Sequence, residues 1–215
     1  MSLPNNFNEL CMYLDYTHNF NNILFVRHLT GGEFLDSLFI GRNVTRLLYI
    51  TNNSEQEFRD IGSNILIHHN DLENILTQTN KTYDLICLDS FHEINESISD
   101  FTLLTRFLNE NGVLICHDCS PPTKSHAISK YVKGPWCGVT YAAFVLLAYS
   151  NPDWFYSIID RDHGLGIVSK KQINFVKKIC NNQLQQMFLS IFFNNNDEGY
   201  DFFKIHSNEM VNLIN

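Results

Sequence analysis

The sequence predicts an α/β protein built around a mostly parallel sheet that is covered on both faces. Five short apolar runs recur along the chain, and most of them are followed by a segment with helical spacing of its apolar residues. The runs are uniformly apolar rather than alternating, which is typical of parallel strands buried on both sides. With 215 residues, 44% of them hydrophobic, the chain is long and apolar enough for one main core.

The five predicted strands share high apolar content and a length too short for a helix. They are Ile23–Val26, Arg46–Ile50, Asn64–His68, Tyr83–Leu88 and Val113–Cys116.

Helical segments are predicted between these strands. A glycine turn after the first strand leads into a helix over Glu33–Phe39, and a polar helical segment over Glu55–Asp60 separates the second and third strands. After the fourth strand, apolar residues through Leu108 share one helical face, and Asn111-Gly112 is a typical stop signal. The alternation of strand and helix supports the α/β class.

The chain divides into three predicted parts. Residues 1–21 form an amphipathic helical cap, residues 22–170 the main domain, and residues 171–215 a C-terminal helix with a loose tail. Within the main domain, Tyr141–Tyr149 is predicted as a buried helix, and a tight turn at 160–164 joins two strands into an antiparallel hairpin. Helical spacing continues from Ile173 to Phe193, whose phenylalanines are expected to serve packing or contacts in a homo-oligomer.

Charge and composition exclude several classes of function. Twenty-three acidic and 15 basic residues give a net charge of −8, which disfavours binding to nucleic acid phosphates or anionic lipid. The longest apolar run, Val139–Tyr149, is shorter than the roughly 20 residues of a membrane-spanning helix. Six scattered cysteines without a secretory signal indicate reduced thiols in a cytoplasmic protein. A small-molecule or neutral glycan partner is expected.

Polar side chains follow the fourth and fifth predicted strands. Asp89 and His92 come after the fourth strand, and His117 and Asp118 after the fifth. Ligands of open α/β sheets bind beyond the carboxyl ends of the strands, so two carboxylates and two imidazoles are expected in one crevice. Such a set can bind a divalent cation and hold a general base. Taken singly, each residue also has a structural explanation, because Asp89 precedes a helix closely enough to cap it.

These segments resemble a known family. Tyr83–His92, then Asp100, then Leu108–Cys119 look like strands four and five of class I S-adenosylmethionine-dependent methyltransferases. More narrowly they are similar to the metal-dependent sugar and macrolide O-methyltransferase group, as are Trp136–Tyr141 and Asp160–Gly166. The resemblance covers roughly residues 20 to 170, and its motifs are short.

The resemblance implies a Rossmann-like, doubly wound, mostly parallel seven-stranded sheet with a C-terminal antiparallel hairpin and an added C-terminal helix. It implies that Asp89 and Asp118 bind a divalent cation that orients acceptor hydroxyls, and that His92 is the general base. His117 stands where the family often has an acidic ligand, so the cation is expected to be Mg²⁺ or a softer metal, with His117 completing the sphere.

The methyl donor is expected over strands one to three. The resemblance places S-adenosylmethionine against residues of the glycine turn, of the ends of strands two and three, and of strand four: Thr30, Gly31, Gly32, Asn52, Asp71 and Asp89. The chain departs from the family at Phe25 and Arg27, which occupy the usual acidic and first glycine positions, and at Asn52, where an acidic residue usually binds ribose.

The predicted function is transfer of a methyl group to a hydroxyl of a sugar or glycan precursor. Two alternatives stay open. One is a methyltransferase-like binding protein whose donor site has degenerated, which the departures at Phe25, Arg27 and Asn52 suggest. The other is a metal-dependent hydrolase that uses the same aspartate and histidine cluster.

Overall fold

A single mixed sheet forms the centre of the molecule. The computed structural model describes residues 3–29, 39, 41–51, 65–179 and 181–215. Their nine strands are β1 Asn22–His28, β2 Asn43–Ile50, β3 Ile65–His68, β4 Tyr83–Asp89, β5 Leu108–Cys116, β6 Phe155–Ile159, β7 Leu165–Ser169, β8 Lys177–Lys178 and β9 Leu213–Ile214. The spatial order is β3-β2-β1-β4-β5-β7-β6-β8, with β9 paired to β6. The five strands from β3 to β5 are parallel, and β7 runs antiparallel to β5.

Six helices accompany these strands in the described part of the chain. They are α1 Phe7–His18, α2 Leu72–Thr79, α3 Ile94–Leu104, α4 Thr140–Ser150, α5 Asn182–Asn194 and α6 Asn196–Val211, with a short 3-10 turn at His69–Asp71. The mixed, doubly wound sheet and its C-terminal hairpin confirm the predicted fold class, but the described sheet has nine strands rather than the predicted seven, because the short strands β8 and β9 both pair with β6.

The sheet carries a core on each face. Residues of one face, such as Leu24 and Ile86, pack with α2 through α6, while the alternate residues Ile23 and Leu85 pack with α1. Because successive side chains of a strand point to opposite faces, the continuous apolar runs seen in the sequence feed both cores at once. The helix predicted in the N-terminal segment is observed as α1, which Asn6 caps through its side chain.

The helix after β4 ends earlier than the sequence suggested. Its last residue is Leu104, and the Thr105 hydroxyl bonds back to the Phe101 carbonyl at 2.8 Å. Leu108 belongs instead to β5, where its backbone pairs with Tyr83. The predicted stop signal Asn111-Gly112 therefore lies inside an irregular β5, because the pairing register shifts between Tyr83 and Leu85.

The C-terminal region also differs from the prediction of one helix and a loose tail. Residues 173–179 hold β8 rather than helix, and α5 begins only after Asn181, whose side chain accepts a hydrogen bond from the Leu184 amide at 3.2 Å. The expected tail is the 16-residue helix α6. Asn195 both follows α5 and caps α6, since its side chain accepts from the amides of Asp197 and Glu198. The division into three parts stays a prediction.

No helix in the described ranges is both long and apolar enough to cross a bilayer. The five described cysteines are all free and buried, as expected for reduced thiols. The predicted helices over Glu33–Phe39 and Glu55–Asp60 fall, apart from Phe39, outside the described residues.

Candidate active site

The predicted crevice lies where β4 and β5 end side by side. Their backbones pair from Leu85 with Val113 to Leu88 with Cys116, and the His117 amide continues the ladder by donating to the Leu88 carbonyl at 3.1 Å. Asp89 is the last residue of β4, and Asp118 lies two residues past the end of β5. Both aspartates are buried, with 4% of each residue exposed. Asp118 has a left-handed backbone, with a φ of 62°.

His92 lies between these two carboxylates. Its Nε2 is 3.2 Å from Asp89 Oδ1 and 3.2 Å from Asp118 Oδ2. Its other nitrogen, Nδ1, is 2.8 Å from the carbonyl oxygen of Trp136, whose ring packs against the imidazole. Asp89, His92 and Asp118 thus form one group whose ligand atoms all lie within 4.8 Å of one another.

The contacts of His92 limit its protonation states. A carbonyl oxygen only accepts hydrogen bonds, so Nδ1 carries a proton. Nε2 then either carries a second proton and pairs with the carboxylates, or turns a lone pair toward them, which is repulsive unless a cation lies between. Burial opposes protonation, but the charge of Asp118 and the hydrogen bond to Asp89 outweigh it and raise the pKa of His92.

His117 lies beside this group rather than within it. Its Nδ1 is 3.3 Å from Asp118 Oδ2, and its Nε2 is 3.4 Å from Asp162 Oδ2 in the β6–β7 turn. Burial alone would lower the pKa of His117, but the carboxylates of Asp118 and Asp162 raise it to about 11. His117 thus pairs with two carboxylates at the edge of the group, and its role as a metal ligand stays a prediction.

Asp118 also contacts a second set of donors. Its Oδ1 is 3.5 Å from His163 Nδ1, and that nitrogen is 3.2 Å from the sulfur of Cys137. Asp118, Cys137 and His163 form a separate group of ligand atoms within 4.8 Å of one another. Burial alone would raise the pKa of Asp118, but the imidazoles around it lower that pKa well below its usual range. Asp118 is thus the ionised centre of the cluster.

Of the residues predicted from the sequence, the structure brings Asp89, His92, His117 and Asp118 together. Asp71 is exposed at the end of the turn that follows β3. The remaining predicted donor contacts, Thr30, Gly31, Gly32 and Asn52, lie outside the described residues.

Two residues that depart from the family pattern can be placed. Phe25 is buried in the core beside α1, where its ring packs on Phe39 at 5.5 Å between centroids. Arg27 lies near the end of β1, where its backbone pairs with that of Asp89.

Sequence reasoning missed Cys137, Asp162 and His163 as members of the cluster. A signal existed for the last two, because a hairpin that pairs antiparallel with β5 must place its turn at the carboxyl end of β5. Cys137 gave no local signal, since it lies in a loop that reaches the site only through tertiary contacts.

A buried polar network supports the site from behind. Asp100 of α3 is fully buried and accepts hydrogen bonds from Tyr49 Oη at 2.7 Å and from Ser90 Oγ at 2.8 Å, while His69 Nε2 lies 2.7 Å from its other oxygen. The Tyr49 oxygen in turn accepts from the Phe91 amide at 2.7 Å. The backbone that joins Asp89 to His92 is thereby tied to α3 and β2.

A cavity of about 630 Å³ lies elsewhere, between α3 and α4. Its lining is mostly apolar, includes Ile98, Leu147 and Trp154, and contains no member of the cluster. The cavity is therefore distinct from the aspartate and histidine site.

The strand order, with a β6–β7 hairpin that inserts an antiparallel β7 beside β5, and a polar crevice at the carboxyl ends of β4 and β5 define a doubly wound α/β protein with a ligand site at its strand ends. The family described as "Methyltransferase domain" matches residues 12–119, half of the chain. The chain belongs to this methyltransferase family, which confirms the recognition made from the sequence. No curated protein matches the chain.

Solved structures show looser likeness. A Staphylococcus aureus protein classed with the caffeoyl-CoA O-methyltransferases is 16% identical, with a TM-score of 0.49 over 76% of this chain and 82% of that one. A Bacillus cereus O-methyltransferase in complex with SAH is 14% identical, with a TM-score of 0.48 over 75% and 79%. MycE of the mycinamycin biosynthetic pathway, in complex with Mg, SAH and mycinamycin VI, is 14% identical, with a TM-score of 0.45 over 74% and 47%. At these TM-scores the likeness is too loose to carry an argument about activity.

Proposed function

We propose that the protein is an S-adenosylmethionine-dependent O-methyltransferase that acts, with a divalent cation, on a hydroxyl of a sugar or glycan precursor. Membership in the methyltransferase family supports the reaction type. The cation and the general base are supported by the convergence of Asp89, His92 and Asp118, whose ligand atoms lie within 4.8 Å of one another at the carboxyl ends of β4 and β5.

The donor set fits a divalent cation. Two buried carboxylates held this close repel each other unless a proton or a cation lies between them. Asp89 and Asp118 would hold the cation, and the cation would orient and polarise acceptor oxygens. The carboxylates suit Mg²⁺ and the nearby imidazole nitrogens suit a softer ion, so the site is compatible with either cation.

His92 is suited to take the proton of the acceptor hydroxyl. Its Nδ1 donates to the Trp136 carbonyl, so the neutral form of the ring is the tautomer whose Nε2 has the free lone pair. Nε2 faces the two carboxylates, so an acceptor oriented between them comes within reach of that lone pair. Nε2 would take the hydroxyl proton while the acceptor oxygen bonds to the methyl carbon and the sulfur–carbon bond of the donor breaks, which leaves S-adenosylhomocysteine.

The methyl donor would lie along the ends of β1 to β4. S-adenosylmethionine supplies an electrophilic methyl group when bound. Asp71 is exposed and free of a helix-capping hydrogen bond, so its carboxylate is accessible to an adenine amino group. Asp89 lies where β1 and β4 adjoin, which is the point at which the strand order reverses. The glycine turn Gly31-Gly32 and Asn52 complete the proposed donor site.

A neutral, polyhydroxylated acceptor agrees with the charge of the chain. The net charge of −8 disfavours anionic partners, whereas neighbouring hydroxyls can share one cation.

Calorimetry with S-adenosylhomocysteine tests the donor site. We expect saturable heat and a rise in melting temperature, because a ligand that binds only the folded state stabilises it. No heat and no thermal shift at millimolar ligand would refute the transferase proposal.

The cation and the base are tested with substitutions. Asp118→Asn should weaken Mg²⁺ or Mn²⁺ binding, whereas the exposed Asp153→Asn, which only pairs with Lys178, should not. His92→Ala should lower turnover by about 10²- to 10⁴-fold while donor affinity is kept. Unchanged cation binding in Asp118→Asn would exclude this site.

A second candidate is a binding protein with a degenerate donor site. The observation that favours it is Phe25, which fills the usual acidic position with a core aromatic side chain. This candidate predicts cation binding without any S-adenosylhomocysteine binding, so the same calorimetry separates the two.

A further inference from the structure

We propose that Asp118, Cys137 and His163 form a second cation site that selects a soft divalent ion such as Zn²⁺. This site shares only Asp118 with the Asp89, His92 and Asp118 group, and it does not depend on methyl transfer. It adds a thiolate ligand, which the proposed transferase site lacks.

Two distances within this group are close to those around a small tetrahedral ion. Zn²⁺ binds sulfur at about 2.3 Å and nitrogen or oxygen at about 2.0 Å, so neighbouring tetrahedral ligand atoms lie about 3.3 to 3.6 Å apart. Cys137 Sγ is 3.2 Å from His163 Nδ1, and that nitrogen is 3.5 Å from Asp118 Oδ1. Three protein ligands with a fourth position left for water are typical of exchangeable zinc sites.

The ligand types favour a soft ion over Mg²⁺. Thiolate and imidazole bind zinc well, whereas Mg²⁺ requires oxygen ligands. Binding replaces the proton of the Cys137 thiol, and that proton leaves to solvent. His163 is 39% exposed at its side chain, which gives an ion a path to the otherwise buried sulfur and carboxylate.

Asp118 can serve both groups because its two oxygens face different donors. Oδ2 lies toward His92 and His117, and Oδ1 lies toward His163. A carboxylate with one oxygen in each group can bridge two cations, so a zinc ion on Oδ1 leaves Oδ2 for the first group.

Tight backbone contacts hold the second group in place before any ion binds. The Cys119 and Ser120 amides donate to the Gly164 and His163 carbonyls at 2.9 and 2.8 Å, which ties the His163 turn to the residues after Asp118. A Cβ at Gly164 would lie 2.0 Å from the Ser120 amide nitrogen, so only glycine allows this approach.

The Cys137 loop is held in the same way. Val139 donates to the His92 carbonyl at 2.8 Å, and a Cβ at Gly138 would lie 2.1 Å from that carbonyl oxygen. The Asp118 and His163 loops are therefore fixed to each other, and the Cys137 loop is fixed to the backbone of His92, whose ring contacts Asp118.

Cobalt provides the direct test, because a Co²⁺ ion bound to a thiolate gives an intense charge-transfer band in the near ultraviolet. Metal-free full-length protein titrated with Co²⁺ should develop this band with one equivalent, and Zn²⁺ should abolish it. Cys137→Ser should lose the band. Cys119→Ser should keep it, since the equally buried Cys119 belongs to neither ligand group.

Chelator competition measures how much the His163 imidazole contributes to Zn²⁺ affinity. His163→Gln should weaken Zn²⁺ binding by about tenfold or more, whereas His126→Gln should not, although His126 packs edge-on against His163 at 5.7 Å. Asp89→Asn should leave the cobalt band in place, because Asp89 belongs only to the other group.

Three results would overturn the proposal: no thiolate band in the intact protein, a band that survives Cys137→Ser, or a band that disappears in Asp89→Asn. If Cys137→Ser does not fold, X-ray absorption of the zinc-loaded intact protein decides, with one sulfur ligand expected and none refuting the site. Calorimetry with S-adenosylhomocysteine on metal-free protein is independent of these results, so failure of the zinc site and failure of the transferase proposal are separable.

Discussion

Removal of one buried hydroxyl, by Tyr49→Phe, tests the polar network behind the site. The Tyr49 oxygen donates to Asp100 and accepts from the Phe91 amide, both at 2.7 Å, and the residue is fully buried. In the variant the Phe91 N–H keeps no partner at this position, while Asp100 retains Ser90 and His69. A buried unsatisfied donor costs about 1 to 3 kcal/mol, and a lost hydrogen bond to a carboxylate about 1.5 to 3 kcal/mol.

These two losses overlap, so we expect the free energy of unfolding to fall by about 2 to 4 kcal/mol. For a chain of this size the melting temperature then falls by about 4 to 16 °C. Urea unfolding followed by tryptophan fluorescence measures the change as a lower midpoint at unchanged slope.

Tyr83→Phe is the matched control. Tyr83 is as buried as Tyr49, but its hydroxyl has no hydrogen-bond partner among the residues that the structure describes. Its removal should be neutral or slightly stabilising, because no bond is lost and a desolvated polar group is removed. The reasoning is refuted if Tyr49→Phe stays within about 0.5 kcal/mol of the parent protein, or if both variants lose the same stability.

Three further predictions concern a titrating group, a tight turn and a helix cap. The hydrogen bond to Asp100 raises the pKa of His69, so this contact stabilises the fold fully below the ordinary pKa of about 6.5, and its contribution is lost as pH rises through the raised value. The difference in free energy of unfolding between the parent protein and His69→Gln should therefore shrink from pH 6 to pH 9, and a constant difference would contradict this reasoning. Gly138→Ala should lower the free energy of unfolding by more than the roughly 1 to 2 kcal/mol that a left-handed alanine costs, because the new Cβ meets a backbone carbonyl. Gly41→Ala, which meets no neighbouring atom among the described residues, should cost only that conformational penalty, and thermal melts of both variants measure the difference. Asn195→Ala should lower stability by about 1 kcal/mol through loss of the α6 cap, while the exposed Asn194→Ala should be near neutral in urea unfolding.

Much of the sheet could be predicted because its signal is local. Leu85, Ile86 and Cys87 belong to a run that is apolar at every position, which only a strand buried on both faces requires. The helix that follows was extended too far, because Leu108 fits a helical face in sequence. Leu108 is part of β5 because its backbone pairs with that of Tyr83, and a contact between residues this far apart in sequence leaves no local pattern.

The C-terminal error has a different physical cause. The three asparagines at 194–196 correctly indicate a helix end, but asparagine is equally common at a helix start. Asp197 and Glu198 in the next turn favour a new helix through its dipole, so the sequence did contain evidence for α6.

Two carboxylates of the ligand cluster could be predicted from topology alone. Asp89 and Asp118 end neighbouring parallel strands, and such residues must meet at one edge of the sheet. Cys137 could not be predicted in this way, because its position depends on the close approach of Gly138 to the His92 backbone.

Three residues of the ion-paired loops, Asp118, Asp162 and His163, have a left-handed backbone. Of the other described non-glycine residues with positive φ, Asn19, Asn80 and Asn212 only end helices, and Phe175 lies between β7 and β8. Left-handed asparagine at a helix end is ordinary, but the conformations of the cluster residues cost about 1 kcal/mol or more each. Buried carboxylates among imidazoles add a desolvation cost that apolar packing would avoid. Two of these residues, Asp118 and His163, are also ligands in the cation sites proposed above, so cation binding is the function that our proposals assign to part of this cost.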